Sequence, residues 1–209
     1  MTEAIKSDVK QSWNIRLIKD NPTFPFLLID NWYTPEEEKN VWKELEFYGS
    51  NPIDTAQGGI VAKYEDGKSK GMHNRFYFDK MYTDEGKRQS NILKYHYKQG
   101  LLELHHKVNE CGHYARSFFS SNTTSSFVSL YNNNDYYDHH WDNAFWTNLI
   151  WFVKEPKNFS GGDLEFKENN TTVKLKHNRA VLFPSMYLHK STKIIGNGQK
   201  FTITHFNLL

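Results

Sequence analysis

A chain of 209 residues fits one domain and is long enough to bury a sizeable core. Its net charge of +2 calls for neither a nucleic-acid nor a membrane-surface partner, and its one cysteine, Cys111, excludes an internal disulfide and an all-cysteine zinc site. The N-terminus lacks the apolar core of a signal peptide and no run is long enough to span a membrane, so the expected compartment is the reducing cytoplasm. Cys111 then reads as a small buried hydrophobe, and the sequons at Asn122, Asn158 and Asn170 as polar loops.

The stretch "FPFLLIDNWYTPEEEKNVWKELEFYG" predicts a strand, a turn and a helix. Thr34 is a good N-cap, Pro35 suits the first helical position, and Glu37 completes a capping box. Val41, Leu45 and Phe47 give the helix its expected apolar side. Residues 49–74, rich in glycine and charge, are expected to form a mobile lid. "HNRFYF" reads as a strand. Residues 83–111 are helical in character, with Gly100 a possible break.

From Ser125 the texture changes. "SSFVSLYN", "AFWTNLIWFV", "GDLEF", "TTVKLK", "RAVLFP" and "KFTITHF" are short runs of aromatic and β-branched residues separated by turn clusters. That pattern predicts a sandwich or jelly-roll barrel. Helices come early and strands late, so the fold class is α+β, mainly β. We expect one domain over 1–209, with strand, helices and lid in 1–124 and the barrel in 125–209.

"YDHHWDNAFW", residues 137–146, packs two histidines and two acids into positions 138–142. In an extended chain His139 and His140 face opposite ways, whereas His140 and Asp142 share a face. Asp138 shares it too, so spacing alone leaves two candidate acids. A third ligand has to come from elsewhere. His177 sits in a turn and is expected to be solvated, and His205 is out of phase with Lys200, Thr202 and Thr204. His189, just past "RAVLFPS", sits where a strand ends and a cavity can open. Two imidazoles and one carboxylate on one face suit a non-haem Fe(II) oxygenase. The plainer alternative is a hydrogen-bonded polar turn.

The wider pattern resembles the 2-oxoglutarate and Fe(II)-dependent dioxygenases, and within them the prolyl 4-hydroxylase-like group. Tyr131, Tyr137, His140 and Asp142 carry the spacing, followed by Thr147, "GGDLEF" from Gly161, "FPS" from Phe183, His189 and Lys200. The resemblance covers roughly residues 125–206 and decides for Asp142 over Asp138. Two departures stand out. Lys200 lies eleven residues after His189 where about ten is usual, and "NNNDY" replaces a glycine turn, which asparagine can serve in a left-handed conformation.

This resemblance implies a double-stranded β-helix buttressed by N-terminal helices. It implies Fe(II) on His140, Asp142 and His189, with 2-oxoglutarate and O2 as cosubstrates and ascorbate as an auxiliary reductant. Lys200 would meet the distal carboxylate of 2-oxoglutarate, helped by Thr202 and Tyr131, with Arg179 and Lys193 the fallback cations. The products would be succinate, CO2 and a hydroxylated prolyl or other residue of a peptide or protein. Arg75 and Trp141 are candidate substrate contacts, against the plainer expectations of a surface ion pair and a packed aromatic. Rival readings are an oxidative demethylase of nucleic acid, a small-molecule hydroxylase, a non-catalytic jelly-roll binding module, and a zinc hydrolase with Glu165 as base. "KFTITHF" lacks the second arginine typical of the demethylases.

Overall fold

A computed structural model describes residues 12–19, 23–51, 62–78 and 89–209. Two sheets face one another. The strands of the larger are β1 (Asn14–Ile18), β2 (Phe26–Asp30), β4 (Asn74–Tyr77), β5 (Thr123–Tyr131), β7 (Trp146–Val153), β11 (Arg179–Pro184) and β14 (Lys200–Leu208). They run in the order β1-β2-β11-β7-β14-β5-β4. The smaller sheet holds β3 (Gly71–Met72), β6 (Tyr136–His140), β9 (Leu164–Phe166), β10 (Thr171–Val173) and β12 (His189–Ser191), in the order β10-β9-β12-β6-β3. A further pair, β8 (Phe159–Ser160) and β13 (Ile195–Gly196), closes one end. Every pairing is antiparallel. This is the expected jelly roll, and β1 to β4 extend both of its sheets from the N-terminal side.

Alternation along the strands sorts two cores. Along β14, Phe201 and Ile203 face the helices, joining Leu27, Ile29, Val128, Leu130, Ile150 and Phe152. The opposite phase faces the second sheet, where Phe26, Leu28, Trp151, Leu164, Phe166 and Phe183 form a separate cluster.

Helix α1 (Pro35–Ser50) covers the outer face of the larger sheet. It begins as its sequence requires: Thr34 Oγ1 accepts from Glu37 N, and Glu37 Oε2 accepts from Thr34 N at 2.8 Å. Val41 and Leu45 are fully buried, each contributing about 1.5–3 kcal/mol. Phe47 is not on that side. It is 58% exposed, and Tyr48, one position on, takes the buried place beside Phe76.

The second helical region is more broken than its composition predicts. It comprises α2 (Asn91–Lys94), a 3-10 segment over Tyr95–Gly100, α3 (Leu102–Asn109) and α4 (Ala115–Phe119). Gly100 does end the 3-10 segment. Residues 83–88 of this expectation, and 52–61 of the expected lid, lie outside the described residues. Residues 62–72 form a hairpin and an edge strand. His177 is not solvated either: it stacks on Trp42, and its Nε2 lies 2.9 Å from Glu38 Oε1.

Candidate metal centre

β6 and β12 pair so that His140 and His189 are direct partners across the smaller sheet. The register then slips, because Ser191 pairs with Tyr137. Two steps on β12 therefore match three on β6, which places a bulge at Asp138 and His139. Strict alternation would put Asp138 on the face of His140. The bulge puts Tyr137 there instead, its ring stacked on His140 at 3.5 Å between centroids. The Asp138 carboxylate turns outward to the Tyr64 hydroxyl and accepts from His139 N at 2.7 Å.

Asp142 sits in the turn after β6. Its amide donates to Ser185 O at 3.0 Å, and its Oδ2 accepts from Thr147 Oγ1 at 2.7 Å. Thr147 also lies 2.7 Å from Ser185 Oγ, so "FPS" and the first turn of β7 fix the carboxylate together. Ligand atoms of His140, Asp142 and His189 lie within 4.8 Å of one another, and all three side chains are largely buried. The His140 Nε2–Asp142 Oδ1 distance is 3.6 Å, and His189 Nε2–Asp142 Oδ2 is 3.5 Å.

The two imidazoles are held alike. His140 Nδ1 lies 2.7 Å from Asp138 O, and His189 Nδ1 lies 2.8 Å from Tyr187 O. Each Nδ1–H donates to the carbonyl two residues back, which leaves each Nε2 lone pair aimed at the shared space. Burial, then the neighbouring His189, holds the His140 pKa down to about 2, so its imidazole is neutral. Two imidazole nitrogens and a carboxylate oxygen are the donors a ferrous ion takes. Cis donors at about 2.1 Å from one ion stand about 3 Å apart, close to the spacing here.

The triad opens onto a cavity between the sheets. Arg75, Ser129, Thr202 and Trp151 form one cross-strand row on its floor. Two residues further along, Lys200 pairs with Tyr131 and is 2% exposed. Its ammonium donates to Ser191 Oγ at 2.7 Å and Gly162 O at 3.0 Å, and lies 4.3 Å from the Tyr131 ring centre. Burial lowers its pKa to about 7, against a raising pull from Asp163. The Thr202 hydroxyl is buried without a hydrogen-bond partner among the described residues. Gly162 has a φ of +78°, and a Cβ there would press to 3.3 Å from the Lys200 side chain. The asparagine turn also behaves as expected, with Asn134 at φ +71°.

Arg75 is not a surface ion pair. It is 7% exposed, its Nε donates to His73 Nε2 at 2.7 Å, and its guanidinium lies against the Phe127 and Tyr137 rings. Trp141 is not a packed aromatic either: it is 64% exposed, between two metal-facing residues. Glu165 is paired with Lys190 at 2.8 Å and does not line the cavity. Arg179 donates twice to Asp30, at 2.6 and 3.1 Å. Sequence reasoning missed Ser191 and His73. Ser191 was readable, since it lies two positions after His189 on one strand face. His73, stacked on Tyr131 at 4.6 Å, has no local signal.

Residues 126–207 match the profile of the 2OG-Fe(II) oxygenase superfamily. The matched segment holds His140, Asp142, His189 and Lys200. The oxygenase fold is shared with a prolyl hydroxylase from Trichoplax adhaerens, solved with a hypoxia-inducible-factor oxygen degradation domain peptide, at TM-score 0.60 and 16% identity. That match covers 88% of this chain and 83% of the other. A Pseudomonas putida prolyl-4-hydroxylase aligns at TM-score 0.60 and 12% identity, over 88% and 92% of the two chains. A collagen prolyl hydroxylase from Paramecium bursaria Chlorella virus-1, solved with 2OG, aligns at 0.52 and 13%, over 88% and 96%. No curated protein matches the chain. Among the described residues no helix is long and apolar enough to cross a membrane. The chain thus carries a jelly-roll scaffold, with the oxygenase profile over the segment that holds the triad and Lys200.

Proposed function

We propose that this chain is an Fe(II)- and 2-oxoglutarate-dependent dioxygenase that hydroxylates a prolyl or other residue of a peptide or protein, with succinate and CO2 as coproducts. The observation that carries the reading is one cavity with the His140–Asp142–His189 cluster on one wall and the buried Lys200 ammonium on another. His140, Asp142 and His189 would hold Fe(II). When bound, iron and 2-oxoglutarate supply the oxidising chemistry by activating O2. The chain does the rest. Nδ1–H donation to two carbonyls keeps both imidazoles oriented, and Thr147 holds the carboxylate. Lys200 pairs with the distal carboxylate of 2-oxoglutarate, where its charge offsets the cost of burying an anion. Thr202 supplies a hydroxyl donor, and the Tyr131 ring backs the ammonium.

Arg75 and Trp141 are the proposed substrate contacts. Arg75 lines the cavity with its guanidinium fixed by aromatic faces, and Trp141 stands exposed beside the metal-facing residues. A peptide substrate is supported by the peptide-bound relative of the same fold. We place the reaction in the cytoplasm, with ascorbate keeping the iron reduced; the chain's single thiol, Cys111, is buried.

Two measurements test this reading. Anaerobic addition of Fe(II) and 2-oxoglutarate should give a metal-to-ligand charge-transfer band, and its absence sinks the iron and cosubstrate assignment. A screen of proline-containing peptides and small amines for stimulated succinate release should favour peptides. Stimulation by small amines alone would replace the peptide reading with a small-molecule one.

A further inference from the structure

Residues 62–70 form a hairpin. Lys63 pairs with Ser69, Lys70 N donates to Ala62 O at 2.8 Å, and Tyr64 N donates to Lys68 O at 2.9 Å. Its tip turns at Gly67, whose φ of +83° suits glycine. Such a hairpin could be a plain connector to β3. Its contacts argue otherwise, because they fall on the three residues before His140.

Ala62 N donates to the Tyr137 hydroxyl at 3.0 Å. Asp138 N donates to Lys70 O at 2.8 Å, and the Tyr64 hydroxyl donates to the Asp138 carboxylate. Lys70 Nζ donates to His139 O at 2.9 Å. The bulge lies over the same stretch, so between His140 and Tyr137 the β12 side gives β6 no paired partner. The hairpin supplies from the opposite edge what the ladder lacks.

Those residues also set the direction of His140. Asp138 contributes the carbonyl that takes the Nδ1 proton, and Tyr137 contributes the ring stacked on the imidazole. A shift of the backbone at 138 therefore turns Nε2 away from the space shared with Asp142 and His189. Groups that orient a ligand from behind commonly change metal affinity by about tenfold to a hundredfold.

We propose that the 62–70 hairpin is a positioning element for His140, with Tyr64, Lys70 and Asp138 as positioning residues. The proposal rests on the metal-site reading above, and it gives Asp138 a role other than ligand. Its carboxylate anchors the hairpin, and its carbonyl aims the imidazole.

The probe is Co(II), titrated into the full chain and followed by its visible absorption. The double variant Tyr64→Phe/Lys70→Met removes two side-chain contacts while leaving the hairpin backbone. Co(II) affinity should fall about fivefold to tenfold, with a shifted absorption envelope and little change in the thermal midpoint. Asp138→Asn keeps an acceptor for Tyr64 and should stay closer to the parent than Asp138→Leu, which should match the double variant. Parent-like affinity and spectrum in both the double variant and Asp138→Leu would overturn the proposal, even if they melted earlier. Loss of Co(II) binding in Asp138→Asn would make Asp138 a ligand and overturn it too. A parent chain that takes up no Co(II) would instead sink the metal-site reading itself.

Discussion

The chain buries two pairs of imidazoles, one in the cavity between the sheets and one on the outer face of the larger sheet. His140 and His189 lie in the cavity with ring centres 4.3 Å apart, and His96 and His205 lie under the helices with centres 4.8 Å apart. Burial holds His205 and His96 below the usual histidine range, as it does His140. Their partners differ. Asp142 stands against both members of the first pair. The second meets Ser126 Oγ, 2.7 Å from His205 Nδ1, and Gln99 Nε2, 3.0 Å from His96 Nε2. Ser126, His205 and Asn148 form a buried row across β5, β14 and β7, with no acid in it. Two neutral imidazoles alone make a polar core. A carboxylate and an open cavity make a metal site.

Breaking the first pair should have the largest effect. His189→Ala removes an imidazole from an open site, and 2-oxoglutarate turnover should fall by more than about a hundredfold with the fold intact. Circular dichroism and succinate assay together check this. Retained turnover would refute the assignment of His189.

Lys200 extends the contrast to the cosubstrate. Lys200→Met leaves a buried carboxylate unpaired, costing about 3–5 kcal/mol, or roughly two to four decades in 2-oxoglutarate affinity. Lys200→Arg should recover only part, because a planar fork does not fit where a compact ammonium sat. In the free chain Lys200 is charged below about pH 7 and neutral above it. Apparent 2-oxoglutarate affinity should therefore fall as pH rises past that point, by about tenfold per unit. Calorimetric titration at several pH values checks both expectations, and a flat profile would place the cation elsewhere.

Breaking the second pair should cost stability and leave the metal alone. His205→Ala opens a cavity and strands the Ser126 hydroxyl, for about 2–4 kcal/mol of unfolding free energy, with Co(II) affinity unchanged. A parallel loss of Co(II) binding would mean that the two pairs are coupled.

The smallest effect is on acid sensitivity. His205 and His96 resist protonation when folded, whereas in the unfolded chain they accept a proton near pH 6.5. Their contribution is complete above pH 6.5 and drains as pH falls, by about 1.4 kcal/mol per unit for each imidazole. His205→Gln should flatten that slope in denaturant titrations. An unchanged slope would assign acid sensitivity to other groups.

The strands, the capping box and the ligand pattern were legible because each depends on neighbours in sequence. Alternation placed His205 away from Lys200, and Thr34 with Glu37 announced α1. Alternation could not reveal the bulge at Asp138 and His139, since an extra residue on one strand exists only relative to its partner. That bulge brings Tyr137 to His140 and sends Asp138 out to Tyr64. His73 and the 62–70 hairpin were illegible for a related reason. Their neighbours are 50 to 75 positions away, as with Tyr64 and Asp138. Phe47 was misplaced because Tyr48, one position on, had the better partner in Phe76.

His73 stands alone between β3 and β4, which belong to different sheets. The chain thus steps from one wall of the barrel to the other in a single residue. An insertion at that point must slip one strand by one position, and one slip reverses every side chain on it. If β4 slips, Arg75 leaves the cavity. If β3 slips, Gly71 gives up its place to a residue whose Cβ would meet Tyr137 and His73 within 3 Å. The hairpin upstream is the place where the chain can lengthen, because its exposed tip can grow without disturbing either wall.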